Sequence, residues 1–127
     1  MPQESLISIV DDDESVRVAI EGLIRSLGYA VESFASAGDF IASKRLRSTA
    51  CLIADVNMPV MTGAELHRHL VASNIHIPTI LITAYPDDEG KKRALRAGVI
   101  CYLNKPFDET ALLDCIQSAV GAVGPGG

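Results

Sequence analysis

Leu6-Ile7-Ser8-Ile9-Val10-Asp11-Asp12-Asp13 sets a short, mostly apolar run directly before three consecutive acids. A run of this length, broken by charge, reads as a buried strand that ends where the acids begin. The arrangement recurs along the chain. Cys51–Ala54 runs into Asp55, followed by the turn-rich Asn57-Met58-Pro59 and Gly63. Ile77–Ile82 runs into Thr83, and Val99–Leu103 into Asn104-Lys105-Pro106. Ala30–Phe34 alternates as a further strand does.

Helical patterns fill the intervals. After the first acids a helix is predicted to about Leu27, with Val16, Ile20, Leu23 and Leu27 on one face and Gly28 as its stop. Ser36 and Asp39 form a capping-box-like start for a second helix, and Ala64–Ala72 carries Leu66 and Leu70 at helical spacing. The segment Pro86–Ala97 opens with Asp87, Asp88 and Glu89 and continues with Lys91, Lys92, Arg93 and Arg96, an order that suits the helix dipole; Gly98 ends it. Asp108 is placed to cap a last helix to about Val120, with Leu112, Ile116 and Val120 facing inward. Strands alternating with helices imply an α/β sandwich around a parallel sheet. The strands are continuously apolar, as expected when both sheet faces are covered.

Size and composition bound the function. The chain has 127 residues, 48% of them hydrophobic, enough for one domain with one core. The single domain is expected to fill residues 6–120, with a loose glycine- and proline-containing tail at 121–127. A net charge of −5 disfavours a stand-alone nucleic-acid binder, and the start of the chain lacks the basic segment of a secretory signal. No apolar run is long enough for a membrane helix. Cys51, Cys101 and Cys115 are odd in number, lack motif spacing and fall in apolar stretches. They read as small buried hydrophobes in a reducing, cytoplasmic compartment, neither disulfide-bonded nor metal-binding.

The chemistry collects at strand ends. Asp11 and Asp12 follow the first strand, Asp55 the third, Thr83 the fourth and Lys105 the fifth. In an open parallel sheet, ligands bind outside those ends, near a switch in strand order. Adjacent first and third strands would bring Asp11, Asp12 and Asp55 together. Clustered carboxylates repel, and a hard cation such as Mg²⁺ relieves the repulsion through oxygen ligands. Lys105 adds a fixed cation and Thr83 a hydroxyl. Together these are the groups that phosphoryl transfer needs for positioning and charge neutralisation. A carboxylate can itself be the nucleophile and form an aspartyl phosphate.

Ile9-Val10-Asp11-Asp12-Asp13, Asp55-Val56-Asn57-Met58-Pro59, Ile82-Thr83-Ala84 and Asn104-Lys105-Pro106-Phe107 resemble the receiver domains of two-component response regulators, and Ser33-Phe34-Ala35-Ser36 and Cys51-Leu52-Ile53 are most similar to FixJ-type receivers. The resemblance covers about Leu6 to Val120. It implies a flavodoxin-like (βα)5 three-layer sandwich with strand order 2-1-3-4-5. It implies that Asp55 accepts a phosphoryl group from the phosphohistidine of a sensor histidine kinase or phosphotransfer protein. Asp12, Asp55 and the backbone carbonyl of Asn57 would ligate Mg²⁺, with Asp11 acting largely through water and Mn²⁺ able to substitute. Lys105, Thr83 and the Ala84 backbone would bind the phosphoryl oxygens. Thr83 and Tyr102 would form the switch, altering the face of the fourth helix, fifth strand and fifth helix, a surface for an effector or for homodimerisation. Asn57 and Tyr85 occupy positions that tune phosphate lifetime, and the Lys105–Pro106 bond is expected to be cis.

Plainer readings apply elsewhere. Asp13 is a helix cap. His67, His69 and His76 are expected on the solvated surface, and the Lys91–Arg96 cations on a solvated or protein-facing helix face. Two other functions remain open. An aspartyl-nucleophile phosphatase of the haloacid-dehalogenase kind would place a second acid two residues beyond Asp55, where this chain has Asn57. A phosphorylation-independent interaction module would not need Asp55 at all. The few residues after the last helix are too short for a helix-turn-helix, which leaves a single-domain regulator or a piece of a longer one.

Overall fold

The computed structural model describes residues 5–123. Five parallel strands, β1 (Leu6–Val10), β2 (Ala30–Phe34), β3 (Thr49–Asp55), β4 (Thr79–Thr83) and β5 (Cys101–Asn104), form one sheet in the order β2-β1-β3-β4-β5. Five helices alternate with them: α1 (Glu14–Ser26), α2 (Ala37–Ile41), α3 (Gly63–Ala72), α4 (Asp88–Arg96) and α5 (Glu109–Val123). This is the expected flavodoxin-like (βα)5 sandwich.

Side-chain alternation along the strands divides the core in two. Ile7, Ile9, Ile53, Ile80 and Ile82 point to one face and pack against Ile20 and Ile24 of α1 and Leu112, Ile116 and Ala119 of α5. Val10, Leu52, Ala54 and Leu81 point to the other and meet Phe40 of α2, Leu66 and Leu70 of α3 and Ala94 of α4. Both faces are covered, which is why these strands are apolar throughout. Phe40 is fully buried and meets Phe34 edge-on at 5.4 Å, so Phe40→Ala would cost about 3–5 kcal/mol.

Helix boundaries follow local chemistry. The Asp13 carboxylate accepts from the amides of Ser15 and Val16 and caps α1. Thr62 and Glu65 form a reciprocal capping box on α3, and Asp87 caps α4. Asp108 accepts from the Ala111 amide at the start of α5. Gly28 and Gly98 end α1 and α4 with φ of +92° and +105°, a conformation that disfavours a Cβ.

Several expectations are corrected. Leu27 is the C-cap of α1 and is exposed; Ile24 takes the buried position instead. The fourth helix starts two residues after Pro86, because Asp87 serves as its cap. β5 begins at Cys101 and not at Val99, since Val99 closes α4 by donating to the Ala94 carbonyl. Residues 121–123, expected in a loose tail, continue α5, while Gly124–Gly127 lie outside the described residues. Cys51 is buried as expected, but Cys101 and Cys115 are joined as a disulfide between β5 and α5, contrary to the reading of all three as unpaired thiols. His67, expected on the surface, is buried, whereas His69 and His76 are exposed.

Candidate functional site

Strand register assembles the site. Val10 pairs with Ala54, so the residues that follow, Asp11 and Asp55, leave the sheet side by side. Asp55 pairs with Ile82, and Thr83 with Asn104, so Thr83 and Lys105 come next in the same row. The sheet is entered at β1, extends outward through β2, and then crosses back to β3. The crevice between the ends of β1 and β3 is therefore the switch point where open parallel sheets bind ligands.

Asp11 and Asp55 are buried and Asp12 is exposed. One ligand atom from each lies within 4.8 Å of the others. The Lys105 ammonium donates to Asp11 Oδ2 at 3.0 Å and pairs with Asp55 Oδ1 at 3.5 Å, neutralising part of the charge. Backbone amides add to this: Asp13 N–H donates to Asp11 Oδ1 at 2.9 Å, and Asn57 N–H to Asp55 Oδ1 at 3.2 Å. The Arg17 guanidinium fixes the Asp11 backbone by donating to its carbonyl at 2.6 Å.

Burial pushes the Asp55 carboxyl above the ordinary carboxylate range; the Asp11 charge adds to the rise, and the Asn57 amide and Lys105 oppose it. For Lys105, burial lowers the pKa, but the hydrogen bond and charge of Asp11, joined by Asp55, outweigh it and hold the ammonium protonated above its usual value. The result is a partly compensated anionic pocket with one acid, Asp12, still facing solvent. Three carboxylates that each bring an oxygen to one place are the donor set that a hard divalent cation prefers, and Lys105 alone cannot balance them.

Thr83 is fully buried, and its hydroxyl donates to the Asn57 side-chain oxygen at 2.6 Å while accepting from the Tyr85 amide at 3.0 Å. Ala84 sits next to it, exposed at the strand end. Tyr102 lies outside the acid cluster. It pairs in register with Leu81, packs against the core beneath α3 and α4, and faces Gly90 and Asp87 at the start of α4. The Lys105–Pro106 bond is cis.

Sequence reasoning missed three features. Asn57 engages Thr83 through its side chain, a contact that neither its backbone metal-ligand assignment nor its lifetime-tuning position anticipates. Gly63 is required by contact: a Cβ there would come 2.6 Å from the Asp55 carbonyl oxygen and 3.0 Å from Leu81. His67 belongs to the buried stripe of Gly63, Leu66 and Leu70 on α3, and its i, i+4, i+7 spacing with Gly63 and Leu70 was the available signal. Burial, with the nearby Arg68 charge, lowers the His67 pKa.

A family model described as the response regulator receiver domain matches residues 7–117. Response regulator protein TmoT of Ectopseudomonas mendocina is 41% identical over 118 residues, spanning 93% of this chain and 54% of that protein. Transcriptional regulatory protein FixJ of Rhizobium meliloti (strain 1021) is 35% identical over 113 residues, 89% of this chain and 55% of that protein. Among solved structures, response regulator StyR superposes with a TM-score of 0.86 at 40% identity, covering 94% of this chain and 61% of that one. FixJ-N superposes with a TM-score of 0.85 at 32% identity, covering 98% and 99%. The chain thus spans about half the length of the curated relatives it matches.

Proposed function

The chain belongs to the response regulator receiver domain family, and from that membership we propose that it is a phosphoswitch whose acceptor is Asp55. The observation that carries this reading is the convergence of Asp11, Asp12, Asp55, Thr83 and Lys105 at one switch point of the sheet. A carboxylate oxygen of Asp55 attacks the phosphorus of a phosphohistidine; the O–P bond forms as the P–N bond breaks, and the leaving imidazole nitrogen takes up a proton from water. Asp12, Asp55 and the Asn57 carbonyl would hold Mg²⁺, or Mn²⁺ in its place, with Asp11 reaching it through water. The bound cation supplies charge neutralisation for the incoming phosphoryl oxygens. Lys105, which reaches both Asp11 and Asp55, would supply a second positive charge. Thr83 exchanges its bond to Asn57 for one to a phosphoryl oxygen, beside the Ala84 amide, and Tyr102 moves with it. A ligand shifts such an equilibrium only through contacts that differ between the two states, and the Thr83 hydroxyl provides one.

The module is a switch and not a multiple-turnover enzyme. Asn57 cannot act as the general acid that an aspartyl phosphatase would need at that position. Its input partner is a sensor histidine kinase or a phosphotransfer protein in the cytoplasm. Its output is a change on the α4–β5–α5 face, read by an effector protein or domain or by a second copy of the chain; nucleic acid and membrane are not direct partners. Among the described residues no helix is long and apolar enough to cross a membrane. The test is phosphotransfer from a labelled phosphohistidine donor. The wild type should take up label stoichiometrically and Asp55→Asn none, with no sustained hydrolysis of a phosphate monoester. Sustained monoester turnover would establish the phosphatase reading instead.

A further inference from the structure

Cys101 and Cys115 join the first residue of β5 to the middle of α5, with 6.3 Å between their Cα atoms, inside the range that a disulfide spans. The pair has no part in the acid cluster. Lys105 follows the other end of β5, about 13 Å further along the chain at the rise of an extended strand. We propose that Cys101 and Cys115 form a reversible redox site that fastens β5 to α5, with a low-molecular-weight disulfide of the glutathione class as its oxidant.

Accessibility is graded across the three cysteines. Cys101 is half-buried on an edge strand, Cys115 is 8% exposed at the rim of the core, and Cys51 is wholly buried. Cys51 is also held as a thiol, since burial pushes its pKa up to about 12. Only a thiolate attacks a disulfide, so the reaction belongs to the pair, with Cys101 as the entry point. The Cys101 thiolate attacks one sulfur of the oxidant and displaces the first small thiol. Cys115, deprotonated, then attacks the Cys101 sulfur of the mixed disulfide and displaces the second. Two electrons pass to the oxidant, and the two protons lost by the cysteines appear on the two released thiols. A dithiol reductant reverses both steps.

The consequence lies on the proposed output face. Tyr102 adjoins Cys101, and β5 and α5 are two of the three elements of that face. Oxidation ties them covalently, and reduction lets α5 move over β5. This consequence rests on the phosphoswitch reading, but the redox chemistry does not, and the experiment reads the chemistry directly in wild-type protein. Protein reduced and then equilibrated with glutathione disulfide is quenched, denatured and alkylated. The expected product carries a single alkyl group on Cys51, and three after prior treatment with dithiothreitol. The oxidised form should also melt roughly 5–10 °C higher than the reduced form, a difference absent from Cys101→Ser and Cys115→Ser. Three alkyl groups after oxidation of the folded protein, or a lasting mixed disulfide on Cys101 alone, would overturn the proposal whatever the state of Asp55.

Discussion

The Thr83 hydroxyl donates to Asn57 Oδ1 at 2.6 Å, so the group proposed to bind the phosphoryl oxygen is already committed to a neighbour. Asn57 follows the proposed acceptor by two residues, and its own amide donates to Asp55 Oδ1. Asp55, Asn57 and Thr83, the proposed acceptor, its neighbour and the proposed switch residue, therefore share one short hydrogen-bonded chain. In the proposed switch, phosphorylation breaks the Thr83–Asn57 bond before the new contact forms.

That competition gives a prediction. Removing the Asn57 side chain frees Thr83 and should favour the phosphorylated arrangement by the net worth of one hydrogen bond, about 1 kcal/mol, or roughly fivefold in the switching equilibrium. Asn57→Ala should bind a phosphoryl mimic such as beryllofluoride about that much more tightly in a titration. Thr83→Val should still be phosphorylated, but amide shifts near β5 and α4 should no longer follow.

Asp55 is strained electrostatically in the unphosphorylated protein. Burial, then the Asp11 charge, raises its pKa above the unfolded value. A carboxyl of this kind stabilises the fold below its unfolded pKa, and the contribution is lost as pH rises through the folded pKa. At neutral pH the ionised group therefore costs stability. Asp55→Asn should raise the thermal midpoint by a few degrees at pH 7 without divalent cations. The gain should shrink towards zero near about pH 3, where the wild-type carboxyl is protonated. Thermal melts across pH check this directly.

Gly63 fits because it has no side chain. The added methyl of Gly63→Ala would meet the Asp55 carbonyl oxygen at 2.6 Å, a backbone atom that cannot swing aside. The substitution should cost about 1–3 kcal/mol in denaturant unfolding and slow labelling of Asp55 by displacing it.

Val60 has φ of +70° and projects fully into solvent, with no packing to justify a conformation that β-branched residues avoid. The left-handed region costs such a residue about 1–2 kcal/mol. Val60→Gly should therefore stabilise the protein by up to about 1 kcal/mol, the remainder being lost to glycine's greater unfolded entropy. A chemical denaturation midpoint that falls would contradict this account of the loop.

Most of the site was legible in the sequence because a parallel sheet places strand ends in one row. Asp11, Asp55, Thr83 and Lys105 needed only the strand ends, read from the apolar pattern, and the order 2-1-3-4-5, which the family resemblance implied. What stayed hidden depends on how elements pack. Cys101 and Cys115 meet only if the phase of α5 over β5 is known, and a 14-residue separation carries no phase. The burial of His67 depends on which side of α3 faces the sheet, and its polar identity masked the stripe. Gly63 reads as a turn glycine until the backbone of Asp55 is seen against it. Strand and helix ends drifted by one to three residues where a cap, as at Asp87, or a closing amide, as at Val99, claimed a residue that apolar pattern assigns to the neighbouring element.

The most direct test is intact mass after incubation with a small acyl phosphate, with and without Mg²⁺, for the wild type and Asp55→Asn. The account predicts a single phosphate-sized gain that requires both the cation and Asp55. No gain in the wild type under conditions that modify a control receiver, or an equal gain in Asp55→Asn, would contradict it.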